Sequence, residues 1–526
     1  MIEDVRLRLS PKDGADYELL ARRASEELGL DRKDVHDVAV VRKSIDARQR
    51  RVMLNLMLRV AFGDDKSVDR NIREVELKTV GEDAPTVVVV GAGPAGLFAA
   101  LKLLEYGIRP IVLERGKDVD RRAVDLAKIS REGILNPDSN YCFGEGGAGA
   151  FSDGKLFTRS KKRGNVDDVL QLLVQFGAKR EILRDAHAHI GSDKLPRVIK
   201  NIREAIRRHG GEVLFDSRVT ELLLHEGHAV GVRTETGEEY LGEVILATGH
   251  SARDIYRMLQ RQGVALQAKG IAIGVRLEHP QELIDRIQYH SKEGRGKYLP
   301  AAEYSFVTQA DGRGVYSFCM CPGGVIVPAG SAPGESVVNG MSASARAGKW
   351  ANSGMVVQIN PGDFPQYAEY GELEIMALQE ALEKEFFEAA EQTYRAPAQR
   401  MLDFVERRVS ESLPASSYPA GLISRPMHKL LPPFIADRLR KGFLEFGRKS
   451  KGFLTNDACV IGLESRTSSP VRIPRDKERF EHIEIQGLYP AGEGAGYAGG
   501  IVSAAIDGQR CAEQIIAKRE NRIEND

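Results

Sequence analysis

The sequence contains few cysteines. Five occur in 526 residues, at positions 142, 319, 321, 459 and 511, and they form neither an even disulfide framework nor a CxxC pair. This usage fits a reducing compartment and argues against a structural zinc site. Cys319 and Cys321 lie two residues apart, so an extended strand would place both sulfur atoms on one face, either as a redox pair or as two inert buried thiols.

The chain has no net charge, because 75 basic residues offset 75 acidic ones. This balance removes any whole-chain electrostatic reason to expect a nucleic acid or an anionic membrane as a partner. A basic run at residues 42–51 leaves an RNA-binding or RNA-modifying role as an alternative. Residues 1–80, however, hold 17 basic against 16 acidic side chains, so the run is typical of a solvated face.

Long apolar runs are also missing. The N-terminus is charged and has no apolar segment of the kind that a secretory signal requires. The longest nearly uncharged stretch, Val87–Leu104, contains three glycines and a proline, which suit a strand and a turn better than a membrane span. We therefore expect a cytoplasmic protein with no membrane partner.

The length predicts about three or four structural units. Residues 1–80 show a strand, a helix and two further strands, which predicts a small ferredoxin-like (split βαβ) domain. Residues 86–264 and 456–526 predict the two parts of one α/β domain with a parallel Rossmann sheet. Residues 265–455 have irregular strands and Gly/Pro-rich turns, which predict an inserted, mixed α+β substrate domain. The polar run Thr79–Pro85 is the expected linker.

Glycine is abundant, with 53 residues, about a tenth of the chain against an average near 7%. Three clusters match G-x-G-x-x-G, at Gly91–Gly96, Gly144–Gly149 and Gly494–Gly499. Only the first lies between an apolar strand, Val87–Val90, and a predicted helix. It is also followed by an acid, Glu114, at the end of the next apolar strand. This context predicts a dinucleotide site rather than an ordinary βαβ turn with incidental glycines.

Each position of this fingerprint has an expected role. Gly91 permits the tight turn, Gly93 lets the backbone approach a pyrophosphate, and Gly96 allows close packing of helix and strand. The helix N-terminus faces the phosphates. Glu114 accepts hydrogen bonds from both ribose hydroxyls and would repel a 2′-phosphate, which favours FAD or NAD over NADP. The candidate residues of this unit are Gly91, Gly93, Pro94, Ala95, Gly96, Glu114 and Arg115.

Two further segments separate FAD from NAD. Val244–Gly249 is an apolar strand ending in Ala-Thr-Gly, and it resembles the second signature of glutathione-reductase-like flavoproteins. Gly487–Glu493, with the glycines and helix that follow, resembles their closing signature, in which the acid binds the ribityl–phosphate region. That acid is commonly Asp, so the contact made by the longer Glu493 stays open. The resemblance implies that FAD is bound by Ala247, Thr248, Gly249, Gly492, Glu493, Gly499, Gly500 and Ile501, together with Gly147 and Val219.

A closer resemblance is carried by five segments. They are Lys43–Arg48, Gly144–Leu156, His189–Leu195, Val338–Ser342 and Glu464–Arg472. Together they resemble a bacterial family of uncharacterised FAD-dependent dehydrogenases, and the resemblance covers nearly the whole chain. It implies bound FAD and a redox function, and it supplies no substrate. We expect the FAD to be noncovalent, because the sequence shows no specific attachment signature.

Candidate catalytic residues lie in the second glycine cluster. So many glycines let backbone amides approach a planar ligand. Ser152, Asp153 and Lys155 could hydrogen-bond the flavin N5 or O4 atom or hold an acidic substrate. The alternative is a surface Ω-loop with no contact to a ligand.

Two weaker patterns leave alternatives open. His187 and His189 share a face if extended, but no carboxylate or cysteine lies at ligand spacing, so we predict no metal site. Lys451, Arg466 and Arg472 could bind an anionic substrate near the flavin or form surface ion pairs.

The sequence thus predicts an FAD-dependent oxidoreductase. It would exchange hydride between flavin N5 and an unidentified small-molecule substrate held by residues 265–455. No second strand-embedded fingerprint is visible, so NAD(P)H is expected only as a transient reductant, or the substrate itself reduces the flavin. The alternative is an RNA-modifying or RNA-binding flavoprotein that uses the N-terminal domain. Oligomeric state is not indicated.

Overall fold

A computed structural model describes residues 1–158 and 164–523 of the chain. Its strands are β1 (Ile2–Leu9), β2 (Val35–Asp46), β3 (Met53–Phe62), β4 (Thr86–Val90), β5 (Arg109–Leu113), β6 (Glu212–Leu214), β7 (Val219–His225), β8 (His228–Thr234), β9 (Glu239–Leu241), β10 (Glu243–Leu246), β11 (Gln267–Ala268), β12 (Ile271–Pro280), β13 (Val307–Ala310), β14 (Arg313–Pro328), β15 (Val338–Met341), β16 (Trp350–Ile359), β17 (Ala396–Arg400), β18 (Leu422–Ser424), β19 (Cys459–Glu464), β20 (Val471–Arg472) and β21 (Leu488–Pro490). Its α-helices are α1 (Tyr17–Leu28), α2 (Pro94–Glu105), α3 (Val119–Glu132), α4 (Val166–Gln175), α5 (Leu195–Arg208), α6 (Arg253–Arg261), α7 (Gln281–Gln288), α8 (Glu374–Ala389), α9 (Met401–Glu406), α10 (Met427–Leu430), α11 (Pro433–Lys449) and α12 (Ile501–Ile523).

The first unit, residues 1–62, is a three-stranded sheet with one helix. Its strand order is β1-β3-β2, and α1 packs on the sheet through an apolar face. Because β1 and β2 both pair antiparallel with β3, they run parallel to each other and are joined through α1. The predicted order of one strand, one helix and two strands is confirmed. A complete ferredoxin-like layout needs a second helix and a fourth strand, and residues 63–85 contain neither.

The second unit contains a parallel sheet with strand order β21-β10-β4-β5-β6. Its central strands are buried on both faces, as parallel sheets require. Helices α2, α5 and α12 cover one face, while α6 and the antiparallel β7-β8-β9 sheet cover the other. Since β21 lies beside β10, two separated parts of the chain build one α/β unit, as predicted.

The third unit is built on a large mixed sheet. Its strand order is β13-β14-β16-β12-β19-β17-β18, with β15 paired to β14. Neighbouring strands are antiparallel except for β17 and β18. The division predicted at residue 455 cuts through this sheet, because β19 pairs with both β12 and β17.

Helices are more numerous in this unit than the sequence pattern predicts. The expected amphipathic helix near Leu373–Ala389 is α8, but the described residues 281–449 contain five helices, from α7 to α11. The longest of them, α11, begins at Pro433. Proline is tolerated at the first position of a helix. Among the described residues, no helix combines the length and the apolar composition that a membrane crossing requires.

Residues 71–80, here called the strap, join the first unit to the second. Its apolar side chains pack against the helical face of the parallel sheet. The backbone N–H of Val75 donates to the Gln175 side chain at 3.0 Å, and that of Lys78 donates to the Leu104 carbonyl at 3.1 Å. Much of the segment before the predicted linker therefore belongs to the second unit.

Candidate functional site

A deep cleft opens at the carboxyl ends of the parallel strands. It encloses about 1520 Å³ of empty space, part of it open to solvent. The segments that follow β4, β5, β10 and β21 reach this cleft, and residues of β14 and β15 form part of its wall. Ligands of open parallel sheets bind outside the carboxyl ends of the strands, which makes this cleft the candidate site.

Nearly all the predicted site residues line this cleft. They are Gly91, Gly93, Pro94, Ala95, Glu114, Arg115, Gly147, Ser152, Asp153, Lys155, Val219, Ala247, Thr248, Gly249, Gly492, Glu493, Gly500 and Ile501. Gly96 instead packs α2 against the turn, since a Cβ atom there would lie 1.9 Å from the Gly91 carbonyl oxygen. Gly499 lies beside the cleft, and a Cβ atom there would lie 4.0 Å from the Glu493 carboxylate. The contacts of each residue with a ligand stay predictions.

The first glycine turn is shaped by close backbone approaches. Gly91 has φ of +106°, and a Cβ atom there would lie 2.4 Å from the Ala247 carbonyl oxygen. Gly147 of the second glycine cluster packs directly beside this turn, since a Cβ atom there would lie 3.3 Å from the Gly93 Cα atom. Side chains at these positions would fill the space at the start of α2, so glycine keeps it open for a phosphate group.

Glu114 organises this turn. Its carboxylate accepts hydrogen bonds from the backbone N–H groups of Ala92, Gly116 and Gly144, each at 2.9 Å. The side chain is 5% exposed, so these three donors hold a buried charge. A carboxylate has about four acceptor positions, which leaves room for one ribose hydroxyl. The predicted bonds to both hydroxyls stay a prediction.

Arg115 lines the cleft next to this acid, but its guanidinium is already paired. It lies 2.8 Å from the Asp138 carboxylate and 2.9 Å from that of Asp254. It also lies over the Phe143 ring, 4.1 Å from the ring centre. The side chain thus forms a rigid, charge-compensated wall.

The segments after β10 and β21 touch each other. A Cβ atom on Gly494 would lie 2.5 Å from the Gly249 carbonyl oxygen. His250, which follows the Ala-Thr-Gly signature, has its Nδ1 atom 3.7 Å from the Glu493 carboxylate. Gly500, at the start of α12, has φ of +99°, and no atom of the described residues would lie within 4 Å of a Cβ atom at this position. The N-terminus of α12 therefore meets the cleft without a side chain in the way.

The loop Gly144–Leu156 packs against the second unit and faces the cleft, so it is not an exposed surface loop. Its contact with a ligand stays a prediction. Arg122 of α3 is fully buried, and its guanidinium donates to the carbonyls of Asn140, Gly144, Glu145 and Gly147. These bonds hold the loop in place along the cleft. The signal for this role was absent from the local sequence, because α3 is otherwise a charged surface helix.

The three predicted catalytic residues have different environments. Ser152 donates to the Gly149 carbonyl at 2.8 Å. Asp153 is 1% exposed and pairs with Lys155 at 2.9 Å and Arg346 at 2.5 Å. Burial opposes ionisation of Asp153, but the charges of Lys155 and Arg346 outweigh it and lower the pKa of the carboxyl to about 2. Asp153 is thus a structural anion, and Lys155, 32% exposed, is the charged group that faces the cleft.

The Cys319–Cys321 segment reaches the same cleft. Cys319 lines it and Cys321 lies directly behind, fully buried. The Nζ atom of Lys155 lies 3.7 Å from the Cys321 sulfur. Arg276, also fully buried, donates to the Cys319 carbonyl at 2.6 Å and lies 3.5 Å from the Cys321 sulfur.

Several cleft residues were missed from the sequence. His250 and Asn339 line the cleft, while Arg276 and Arg346 support it from behind. Asn339 lies in the Val338–Ser342 segment, and its neighbour Gly340 leaves room for Arg276, since a Cβ atom there would lie 2.2 Å from the guanidinium. The position of His250 directly after the Ala-Thr-Gly signature was the one usable signal.

The three remaining basic candidates are not brought together. Arg466 lines the cleft but is buried and already paired with Glu383 and Glu335 at 2.7 and 2.6 Å. Lys451 and Arg472 are exposed and do not line the cleft.

The two histidines are engaged separately. His187 lies 3.0 Å from the Glu303 carboxylate, and His189 contacts the Ser344 carbonyl at 3.1 Å. In the described ranges, no group of three His, Cys, Asp or Glu residues is arranged to hold a metal ion.

The predicted basic segment of the first unit docks on the second. The backbone of Lys43 exchanges hydrogen bonds with Arg184 and Ala186 at 2.8 and 2.9 Å, and Arg48 pairs with Asp46 at 2.8 Å. These contacts make the segment part of an internal contact between units and do not favour the RNA alternative.

Comparisons with known proteins identify the class. The family described as "FAD binding domain" matches residues 84–138, "FAD dependent oxidoreductase" matches 195–316, and "FAD-dependent protein, C-terminal domain-like" matches 270–467. A domain of unknown function matches residues 1–61. The protein is therefore an FAD-binding flavoprotein of the oxidoreductase class, and the prediction of FAD as cofactor is confirmed.

An uncharacterised protein of Clostridium beijerinckii is 43% identical over 520 residues, which cover 96% of each chain. The chain belongs to the same family of FAD-dependent oxidoreductases as this relative.

Similarity to solved structures is low. The tetracycline destructase Tet(51) is 12% identical, with 84% of this chain and 83% of that chain covered and a TM-score of 0.34. A geranylgeranyl bacteriochlorophyll reductase-like protein from Thermoplasma acidophilum is 14% identical, with 84% of each chain covered and a TM-score of 0.34.

The cleft residues fit FAD. An elongated space runs from the Glu114 turn, past the open glycines at the start of α2, to the open start of α12. Backbone at positions 93, 147 and 500 can approach a ligand closely because a side chain is absent there. Two helix N-termini face the same space, which suits the two phosphate groups and the electron-rich end of a flavin.

Proposed function

We propose that the protein exchanges hydride between flavin N5 of noncovalently bound FAD and a small-molecule substrate held between the second and third units. When bound, FAD supplies a two-electron carrier. The single observation that carries the proposal is the composition of the cleft wall. At the α12 end, the second unit, which binds FAD, contributes Ser152 and Lys155. The third unit contributes Phe318, Cys319 and Asn339.

The residues of the FAD-binding unit have proposed roles along the cleft. Glu114, Arg115 and Val219 hold the adenosine end. Gly93 and Ala95 at the start of α2 bind the pyrophosphate through backbone N–H groups, while Pro94, which has no N–H, fixes the backbone of the first helical turn beside it. Glu493 binds the ribityl–phosphate region, while Gly500 and Ile501 face the pyrimidine end of the flavin. Gly147 and the Ala247–Gly249 segment line the space between these ends.

A glutathione-reductase-like layout is part of this proposal. Its support is the parallel sheet with helices on one face and the β7-β8-β9 sheet on the other. The assignment of residues 1–62 to a ferredoxin-like class rests on the parallel pair β1 and β2 with β3 between them.

Lys155 is the proposed polar contact for a substrate or for flavin O4. Burial opposes its charge, but the neighbouring sulfur atoms and the Asp153 carboxylate raise the pKa of Lys155 above its ordinary value. The side chain therefore stays cationic throughout the physiological pH range. A fixed cation at this end of the cleft favours a substrate that carries or develops negative charge.

An anaerobic reductant screen tests the proposed function. Holoprotein is mixed with NADH, NADPH and a panel of small alcohols, amines and hydroxy acids, and loss of the flavin's visible absorption is recorded. We expect at least one compound to bleach the flavin faster in the holoprotein than in free FAD. Bleaching by NADH or NADPH supports a transient nicotinamide reductant, and bleaching by another compound supports direct reduction by substrate.

A matched pair of lysine variants locates the reaction. Lys155→Met keeps the length of the side chain and removes the charge, whereas Lys297→Met makes the same change on an exposed lysine. We expect slower flavin reduction with normal FAD content in the first variant and no change in the second. Equal rates in both would contradict the placement of the substrate at this end of the cleft.

A further inference from the structure

Two cysteines occupy an irregular point of β14. The register between β14 and β16 shifts between Phe318 and Cys321, which marks a β-bulge, and bulges are common beside active sites. Cys319 has φ of +44°, a left-handed conformation that is uncommon for any residue other than glycine. This backbone places Cys319 on the cleft wall, partly exposed, while Cys321 is fully buried behind it.

Two cations, the partly buried Lys155 and the fully buried Arg276, lie next to the Cys321 sulfur. Lys155 Nζ lies 3.7 Å and Arg276 Nη2 lies 3.5 Å from the Cys321 sulfur. The Cys321 thiol also approaches the Cys319 carbonyl at 3.5 Å. Cations next to a thiol stabilise its thiolate, and the thiolate is the reactive form of cysteine.

The surroundings of the pair lower the pKa of one cysteine and raise that of the other. A hydrogen bond from the Cys321 thiol holds the pKa of Cys319 well below its ordinary value, burial opposes this, and Lys155 and Arg276 reinforce it. The hydrogen bond to Cys319 and burial raise the pKa of Cys321. These directions favour a thiolate at Cys319 beside a protonated Cys321, with Lys155 and Arg276 as the stabilising cations. The titratable and charged groups facing the pair are Lys155, Asp153, Arg276, Tyr304, Glu464 and Arg346.

Two other buried cysteines, Cys459 and Cys511, serve as a comparison for Cys319. Burial raises the pKa of Cys511 to about 12 and raises that of Cys459 as well. Neither residue lines the cleft, and both sulfur atoms contact backbone carbonyls. The Cys511 sulfur also has a guanidinium, that of Arg475, at 3.5 Å, so the position of Cys319 on the cleft wall, rather than a neighbouring cation alone, distinguishes it from both.

We propose that Cys319 and Cys321 form a redox-active dithiol that exchanges two electrons with bound FAD, with Cys319 as the sulfur that faces the flavin. The inference rests on the proposed placement of the flavin ring at the β14 end of the cleft. In the oxidative direction, a bond forms between the two sulfur atoms and the S–H bond of Cys321 breaks. Its proton and the two electrons pass to the oxidised flavin. In the reverse direction, reduced flavin returns both electrons and the proton, and the bond between the sulfur atoms breaks.

Electron counting on the holoprotein tests this proposal. The protein is treated with diamide, freed of excess reagent and titrated anaerobically with dithionite. We expect wild type to take up about four electrons per FAD, two for the flavin and two for the disulfide. Cys319→Ser and Cys321→Ser should each take up two. Cys459→Ser removes a cysteine outside the cleft and should take up four.

Thiol labelling gives a readout on wild type that does not depend on any variant folding. After diamide treatment, the peptide containing Cys319 and Cys321 should resist N-ethylmaleimide, and after dithionite it should accept two labels by mass spectrometry. In reduced protein, Lys155→Met should shift the midpoint of the pH dependence of Cys319 labelling upward by about one unit or more. Lys297→Met should leave this midpoint unchanged.

Several results would overturn the proposal. They are an uptake of two electrons by diamide-treated wild type, full labelling of both cysteines after diamide, or an unchanged labelling midpoint in Lys155→Met. Failure of the proposed hydride transfer is distinguishable, because no small molecule would then bleach the flavin while dithionite titration and labelling would still report on the cysteines.

Discussion

The Asp153 carboxylate lies 2.5 Å from the Arg346 guanidinium, and both side chains are almost fully buried. Asp153 belongs to the glycine-rich loop of the FAD-binding unit, and Arg346 follows β15 of the third unit. The pair therefore joins the two units directly behind the cleft. Arg346 also forms an ion pair with Glu303 at 2.5 Å. Ion pairs therefore hold the loop that faces the proposed flavin against the third unit.

Removing the Asp153 charge should lower stability in a pH-dependent way. Asp153→Asn leaves Arg346 and Lys155 without their buried anion, and breaking such a pair costs about 3–5 kcal/mol. Because the pKa of Asp153 falls from 3.8 to about 2 on folding, its contribution is complete above the unfolded value and is lost as pH falls through the folded value. Urea unfolding measures the free energy of unfolding of wild type and Asp153→Asn. The difference between them should be complete near neutral pH and should become smaller below about pH 4.

The control for this prediction is Asp311→Asn, which breaks an exposed pair with Lys441. Exposed pairs contribute little, so its free energy of unfolding should stay close to that of wild type. A difference between Asp153→Asn and wild type that is constant down to pH about 2 would show that folding does not shift the pKa of Asp153.

The glycine fingerprint and the course of the chain around it could be predicted from sequence. Residues 86–113 form a strand, a turn, a helix and a strand within one continuous segment, so local periodicity is sufficient. The ends of the parallel strands then had to meet at one edge of the sheet. This is why Glu114, Thr248 and Glu493, which are far apart in the chain, line one cleft as expected.

The contacts that hold the site could not be predicted in this way. The partner of Asp153 is 193 residues away, and a single sequence contains no pairing information at that distance. Arg122 is fully buried although it lies on a helix with a charged surface. Gly340 belongs to a recognised segment, but its need to be glycine depends on the buried Arg276 side chain. Which polar side chains are buried and hold the site in place therefore depends on contacts between distant parts of the chain.

Gly96→Ala should damage the FAD site through packing alone. The added Cβ atom would lie 1.9 Å from the Gly91 carbonyl oxygen, so α2 must move away from the turn. Overpacking of this kind costs about 1–3 kcal/mol. We expect a lower midpoint of thermal unfolding and less copurified FAD. Gly81→Ala is the matched control, because no atom lies within 4 Å of a Cβ built there, and an equal loss of FAD in both variants would contradict the packing role.

Glu114→Gln should weaken FAD binding and the turn together. The amide lacks the charge that holds the N–H groups of Ala92, Gly116 and Gly144, and a hydrogen bond to a charged group contributes about 1.5–3 kcal/mol. Apoprotein titrated with FAD should show an affinity lower by about tenfold to a hundredfold. Glu226→Gln, an exposed acid in a turn, should bind FAD normally. Unchanged affinity in Glu114→Gln would mean that this acid neither contacts the ribose nor shapes the turn.

Two truncations should show that the strap belongs to the FAD-binding unit. A chain that begins at residue 69 keeps the strap, whose backbone donates to the Leu104 and His209 carbonyls at 3.1 and 3.0 Å. A chain that begins at residue 86 loses it and exposes the apolar surface that the strap covers. We expect the longer chain to copurify with FAD and to unfold close to the wild-type temperature, and the shorter chain to unfold at a lower temperature. Flavin absorption and thermal unfolding measure both effects. Equal stability of the two chains would show that the strap is an independent linker, whereas loss of FAD from a folded chain beginning at residue 69 would show that the docked Lys43 segment supports the site.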